Sequence, residues 1–171
     1  MTVESEFLTF SGDKLVEMLG RIEACVGKLT PEQVWARGTE NQNAVGNLLL
    51  HLNGNVRQWI LHGVGGQPDR RDRDGEFAAS GGRNADELLT ALRATVEEAG
   101  AVIRAVPHGR LLERVTPQRT FEDTVLGAIY HVVEHFAGHT FQIILLTNFF
   151  TGEDLGFYAH LNAPKPPLVL Q

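Results

Sequence analysis

Four long stretches of helical periodicity constrain the fold of this chain more than any other feature. Within each stretch the apolar residues recur at three- and four-residue steps, which places them on one face of a helix. The stretches span residues 4–29, 43–62, 84–107 and 121–148. We therefore predict an all-α fold in which four long helices bury these faces against one another.

Short polar motifs mark where several of these helices begin and end. Thr30 and Gln33 flank Pro31 in the pattern of a capping box with proline at the first helical position. Asn84 and Glu87 have the same spacing before the third stretch, which predicts a helix start there. A glycine after the last apolar residue of the fourth stretch, Gly152, predicts its end.

Two connections interrupt the helical pattern. The first, residues 64–83, is rich in Gly, Asp and Arg and is long for a link between antiparallel helices. It is long enough to cross to a helix beyond the nearest neighbour. Its arginines alternate with aspartates, so we interpret Arg70, Arg71 and Arg73 as part of a solvated loop. The second, residues 111–118, is typical of an extended segment or a short hairpin.

Length and composition narrow the class of protein. The 171 residues suit one domain, predicted over residues 1–171 with a core at about 5–150 and a poorly regular tail at 151–171. The net charge of -6 argues against nucleic-acid binding. No apolar run reaches the length of a membrane span, and the acidic N-terminus lacks the basic region of a signal peptide. The single cysteine, Cys25, excludes an internal disulfide and fits the cytoplasm.

Histidines on the apolar helices indicate where the chemistry of this chain lies. His131, His135 and His139 recur every four residues on the fourth helix and share one face, which Gln142 continues. His51 lies in an almost entirely apolar window of the second helix. Buried polar groups cost free energy unless they are paired, so this arrangement needs an explanation.

Metal binding is one explanation, and a hydrogen-bonded core is the other. Two imidazoles four residues apart on a helix can converge on one ion, and His51 supplies a third ligand. Spacing alone leaves open which pair of the fourth-helix histidines would bind. Three neutral imidazoles form an open site, whereas structural zinc sites normally have four protein ligands. Zinc, nickel, iron and copper all accept imidazole ligands.

Two segments resemble the motifs of a known family. Residues 43–55 (NAVGNLLLHLNGN) and 131–143 (HVVEHFAGHTFQI) are similar to the two histidine motifs of the DinB-like superfamily, which includes bacillithiol-transferase-like proteins. The resemblance implies a four-helix bundle that holds a divalent metal, most often zinc or nickel, through His51, His135 and His139. It leaves Asn55, His131 and Gln142 as candidates for orienting those ligands or contacting a substrate.

The resemblance also implies an activity and an assembly. The superfamily contains metal-dependent S-transferases and isomerases that use low-molecular-weight thiols, and homodimers are common in it. We therefore expect a metal-dependent enzyme that acts on a small molecule by thiol transfer or hydrolysis. A non-catalytic, metal-binding stress-response or interaction module is the first alternative, and a plain helical scaffold is the second. Many relatives have a basic residue where this chain has Thr140, at a position expected beside the site, and His160 in the tail is a further side chain that could reach it.

Overall fold

The computed structural model describes residues 2–162, apart from the side chains of His160 and Asn162. Four long helical segments dominate it. They are α1 (Val3–Val26), α3 (Val45–Val56, continued by a π-helix over Arg57–Val64), α5 (Ala85–Arg104) and α6 (Val125–Thr151). The shorter elements are α2 (Pro31–Trp35), α4 (Arg73–Ala78), the strands β1 (Arg114–Gln118) and β2 (Phe121–Thr124), and 3-10 turns at His108–Arg110 and Ala159–Asn162.

The long helices bury the faces that the sequence pattern predicts. Helix α1 packs against α5 and α6, and α3 packs against the same two helices. The centre of the core is formed by fully buried side chains from all four segments, among them Leu15, Ile22, Leu49, Leu52, Ile60, Leu92, Ile103, Ile129, Phe136 and Ile143. The predicted mostly helical fold is thus confirmed.

Helix ends follow the predicted capping chemistry. The Thr30 hydroxyl accepts from the Gln33 N–H, and the Gln33 side chain accepts from the Thr30 N–H at 2.9 Å. Asn84 and Glu87 form the same reciprocal pair before α5. Gly152 ends α6 with a φ of 68°, a left-handed conformation that glycine adopts without strain. These local signals needed no tertiary context, which explains why the sequence revealed them.

The prediction of a purely α fold is corrected by one hairpin. Strands β1 and β2 pair antiparallel with Arg114 opposite Thr124, and the register shifts between Val115 and Gln118. Pro117 lies at that irregularity, where its missing N–H removes no ladder hydrogen bond. Because the second strand takes residues 121–124, α6 begins four residues later than its periodicity indicated.

The connection between α3 and α5 does not cross to a distant helix, because α3 and α5 pack directly on each other. It instead folds back over α3 and carries the short helix α4. Its interpretation as solvated is wrong for Arg71, whose side chain is only 4% exposed. Glu76 is also buried, and it supplies the charge that makes the burial of Arg71 tolerable.

The tail returns along α1. Leu155 and Phe157 pack against the core, and the Lys28 ammonium donates to Glu153 at 2.6 Å. The predictions for the tail beyond Asn162, and for the His160 side chain, fall outside the described residues. Within residues 2–162, none of the helices combines the length and the hydropathy of a membrane span.

Candidate metal centre

Three histidines from two helices converge at the middle of the molecule. His51 lies on α3, and His135 and His139 lie one turn apart on α6. One ring nitrogen from each lies within 4.8 Å of those of the other two. The closest pair, His51 Nε2 and His135 Nε2, is 2.9 Å apart. Of the three histidines on α6, the structure thus brings His135 and His139, rather than His131, into a cluster with His51.

Local packing explains why these side chains face one another. His51 is flanked along its stripe by Leu48 and Leu52, which are buried between α3 and its neighbours. His135 precedes the fully buried Phe136 on α6, so the packing of Phe136 fixes the rotation of that helix. Since α3 and α6 pack directly on each other, both imidazole rows meet at their interface.

The outer nitrogens of two of the histidines have hydrogen-bond acceptors. His51 Nδ1 lies 3.0 Å from Glu76 Oε2, and His139 Nδ1 lies 2.7 Å from Gln142 Oε1. His51 Nδ1 also lies 3.0 Å from Arg71 Nη2, which is a donor. In the tautomer that donates from Nδ1 to the Glu76 carboxylate, His51 Nε2 keeps a lone pair. If the Gln142 oxygen likewise accepts, His139 presents its Nε2 lone pair. Histidines that bind metals in proteins are commonly held this way.

Arg71 fixes the carboxylate that orients His51. Its Nε and Nη2 atoms donate to the two oxygens of Glu76 at 2.8 Å each, which is a bidentate ion pair. A Cβ at Gly54 would lie 1.9 Å from Glu76 Oε1, so only glycine leaves room for the carboxylate. Burial acts to raise the pKa of Glu76, but hydrogen bonds from Arg71 and His51 outweigh it and hold the pKa below its ordinary value.

The environment of His135 and His139 favours their neutral form by lowering the pKa of both. Burial lowers the pKa of His135 to about 3, and the charges that His139 and His51 would carry add to the effect. Burial also lowers the pKa of His139, although its hydrogen bond with Gln142 opposes the shift. Neutral imidazole is the form that binds a metal, because it retains a lone pair.

The residues fit a divalent ion by size and by chemistry. Nitrogens that share one ion at about 2.1 Å can be at most about 4.2 Å apart. The ring nitrogens of the cluster are already nearly this close, and small side-chain rotations would bring all three within reach of one ion. All three donors are neutral nitrogens, which suit zinc and other late transition metals better than calcium or magnesium. His51, His135 and His139 are therefore positioned to bind a metal ion.

The other predicted site residues occupy different places. Gln142 contacts a cluster histidine directly, through His139. His131 is outside the cluster and lies against Trp59, with ring centroids 3.9 Å apart. Asn55 is buried, and its Oδ1 has no hydrogen-bond partner among the described residues. Asn55 and His131 thus sit one turn from the cluster on their own helices rather than bonded to it.

A cavity of about 420 Å³ adjoins the cluster on the His131 side. Helices α3 and α6, the hairpin and the connection before α4 enclose it. Its walls are His51, Asn55, Trp59, Arg71, Arg73, Gln118, Phe121, His131 and His135. Because two of the three cluster histidines line it, a small molecule in this cavity can reach the atoms that would bind the metal.

The fold and the site define a mostly helical protein with a three-histidine cluster at a helix interface. The chain belongs to the family described as "Protein of unknown function (DUF1572)", whose model matches residues 2–165. Among solved structures it is similar to a conserved protein from Enterococcus faecalis, at 14% identity and a TM-score of 0.70. That match covers 90% of this chain and 99% of the other. No curated protein matches the chain significantly.

Sequence analysis missed Arg71 and Glu76. Neither has helical periodicity, and the contact of Glu76 with His51 joins two segments 25 residues apart. The only signal was Gly54 one turn after His51, because glycine inside an apolar helix often marks a close approach by another group. That signal does not identify which residue approaches.

Proposed function

We propose that this chain is a DinB-like four-helix bundle that binds one divalent metal ion through His51, His135 and His139. Zinc and nickel are the first candidates, and iron and copper are the others. One observation carries the proposal: ring nitrogens of three imidazoles lie within 4.8 Å of one another at the interface of two helices. The hydrogen bonds to Glu76 and Gln142 support it, because they leave lone pairs directed into the cluster.

We further propose a metal-dependent reaction on a small molecule, by thiol transfer or by hydrolysis. When bound, the ion supplies Lewis acidity, which makes a thiol or water more acidic at neutral pH. The protein contributes orientation, since Glu76 and Gln142 hold two of the ligand rings. It also contributes a partly enclosed space beside the cluster, of a volume common for small-molecule sites.

The alternative is a metal-binding module without catalysis, of a stress-response or interaction type. Such a module needs the three histidines but no room for a substrate. The cavity beside His51 and His135 favours the enzyme. A screen of the metal-loaded protein for thiol transfer and for ester or amide hydrolysis separates the two. Turnover that disappears in His139→Ala supports the enzyme, and a metal-loaded protein without turnover in either assay favours the module.

Elemental analysis of untagged protein tests the metal site. We expect about one equivalent of metal after purification, or after zinc is added and excess removed. A metal that binds only the folded state raises the melting temperature, and a chelator should reverse that increase. His139→Ala should lose both the metal and the increase in melting temperature.

His131→Ala is the matched control, because His131 lies on the same helix but outside the cluster. It should retain the metal at full stoichiometry. If both variants retain it, or if the parent protein binds neither zinc nor nickel, the metal proposal is wrong.

We also propose a cytoplasmic homodimer. Helix α6 exposes large apolar side chains along one side, and a second copy of the chain could cover them. They are Leu126, Tyr130, Phe141, Leu145 and Phe149, the last of which is 80% exposed. Light scattering on a sizing column should give twice the chain mass of 18.8 kDa, and Leu145→Glu should reduce the measured mass to that of a single chain. A parent protein that stays monomeric at high concentration would contradict the dimer.

A further inference from the structure

The cavity beside the three histidines has an electrostatic character opposite to that of the whole chain. The chain carries a net charge of -6, yet none of the cavity-lining residues is an aspartate or glutamate. Two of those residues are arginines, Arg71 and Arg73. A bound metal ion would add further positive charge at one end. A cavity of this kind attracts anions and repels cations.

The two arginines play different parts. Arg71 is buried and its charge is matched by Glu76, which lies behind it and outside the cavity lining. Arg73 is exposed, and it forms no ion pair with any residue that the structure describes. Its neighbour Asp72 instead caps α4 by accepting from the Gly75 N–H. Arg73 is therefore the cation with hydrogen-bond donors available to a ligand.

Arg73 is held close to the histidine cluster by an aromatic contact. Its guanidinium lies 4.9 Å from the ring centroid of Phe77. The same Phe77 ring lies 4.7 Å from the ring of His51. A guanidinium on an aromatic face keeps its edge donors available, so this contact orients Arg73 without using its hydrogen bonds.

Aromatic side chains form another part of the cavity lining, where Trp59 itself is only 3% exposed. Trp59 contacts the Phe121 ring at a centroid distance of 5.4 Å and lies against His131. Phe121 comes from the hairpin and is 49% exposed, so it has apolar surface that a ligand can cover. Such walls favour a planar, partly apolar ligand over a compact hydrophilic ion.

From these features we infer that the cavity binds a small planar organic carboxylate, whose acid group pairs with Arg73 and whose flat part covers the exposed ring of Phe121 beside Trp59. The inference deepens the proposed function by naming a substrate class. It depends on the metal only for additional attraction, since Arg73 and both aromatic walls belong to the protein itself.

Benzoate and benzamide form a matched pair of probes, because they share size and planarity and differ in charge. The chain has two tryptophans, so its indole N–H groups give two NMR signals that Trp35→Phe would assign. Trp59 lines the cavity, whereas Trp35 donates to the Arg83 carbonyl elsewhere and serves as an internal reference. Each probe is titrated into zinc-loaded protein and into metal-free protein.

We expect benzoate to shift the Trp59 signal saturably and to leave the Trp35 signal in place. Benzamide should bind about tenfold more weakly or worse, as expected for loss of one charge-assisted hydrogen bond. Arg73→Gln should weaken benzoate by about the same factor without affecting benzamide, and Arg73→Lys should recover part of the loss. The matched control is Arg70→Gln, which removes a nearby exposed arginine that does not line the cavity.

Three results would overturn the inference: equal affinity for benzoate and benzamide, unchanged benzoate binding in Arg73→Gln, or an unmoved Trp59 signal at saturating probe. Benzoate binding that requires zinc but not Arg73 counts as the second result. The zinc content is measured on the same samples. A protein that holds no zinc but binds benzoate through Arg73 contradicts the proposed metal site and supports the carboxylate site.

Discussion

Helix α6 has one fully buried face and one half-buried face, and the two satisfy their polar groups in different ways. The threonine face consists of Phe136, Thr140, Ile143 and Thr147, all of them fully buried. The histidine face consists of His131, His135, His139 and Gln142. Its histidines lie at the α3 interface or line the cavity, and Gln142 continues their row along the helix. The threonines are removed from water fully and the histidines partly, so both faces must supply hydrogen-bond partners.

The threonine face satisfies its polar atoms within the helix. The Thr140 hydroxyl donates to the Phe136 carbonyl at 2.8 Å, and the Thr147 hydroxyl donates to the Ile143 carbonyl at 2.9 Å. The histidine face is satisfied only partly within the helix, through His139 and Gln142. It also depends on another segment, since the partner of His135 is His51, 84 residues away. Hydroxyls that are satisfied locally need no further partner, whereas imidazole nitrogens that face one another across a helix interface are suited to take up a ligand.

The largest expected effect concerns the threonine face. Phe136→Ala removes a fully buried ring and leaves a cavity, so we expect metal-free protein to lose about 3–5 kcal/mol of unfolding free energy. Urea denaturation followed by circular dichroism measures the loss. Phe141→Ala is the control, because Phe141 is 50% exposed on the same helix and should cost much less. Equal losses in the two variants would contradict this packing.

The second effect concerns the support of the histidine face. Glu76→Gln removes the carboxylate that accepts from His51 Nδ1, and we expect the zinc affinity to fall about 10- to 100-fold. Competition with a chelator of known affinity measures it on folded protein. Glu97→Gln on the exposed side of α5 should leave the affinity unchanged. An unchanged affinity in Glu76→Gln would show that the carboxylate does not support the site.

A smaller effect tests the claim that the threonine face is satisfied locally. Thr147→Val keeps the shape of the side chain and removes its hydrogen bond to the Ile143 carbonyl, together with the weak one to the Cys25 thiol of α1. We expect a loss of about 1 kcal/mol or less in unfolding free energy and no change in zinc affinity. A loss several times larger, or a change in metal binding, would mean that Thr147 does more than form these two hydrogen bonds.

The smallest expected effect concerns Cys25, whose thiol we expect to react very slowly in the folded protein. Cys25 is fully buried on α1, and burial raises the pKa of its thiol despite a hydrogen bond with Thr147. Since the thiolate is the reactive form, we expect a disulfide exchange reagent to label native protein far more slowly than unfolded protein. Absorbance of the released reagent follows the reaction. Rapid labelling of native protein would show that the α1–α6 interface opens readily.

At position 140 the structure differs from what the resemblance to the DinB-like superfamily implied. The resemblance placed this residue beside the site, where many relatives have a basic side chain. In this chain Thr140 is fully buried on the threonine face, one residue and therefore about 100° around the helix from His139. The positive charge nearest the cluster comes instead from Arg71 and Arg73, which belong to another segment.

Much of the helical fold was predictable from local patterns. Apolar periodicity located the four long helices, and capping motifs located the starts of α2 and α5. The hairpin was only partly predicted, since Phe121–Asp123 extend the helical pattern and their strand depends on pairing with residues 114–118. The π-helix after Val56 had no sequence signal that we recognised, because helix type there depends on how the turn packs.

The sequence by itself determined which residues of α3 and α6 face inward, because a helix repeats its faces every 3.6 residues. It thereby singled out His51 and the row of three histidines on α6. The resemblance to the DinB-like motifs then named His135 and His139 as the partners of His51. Only the tertiary structure showed that the three meet, and that Arg71 and Glu76 close around His51. The reason is that side chains far apart in the chain meet only where helices pack, and packing depends on the whole core rather than on any one segment.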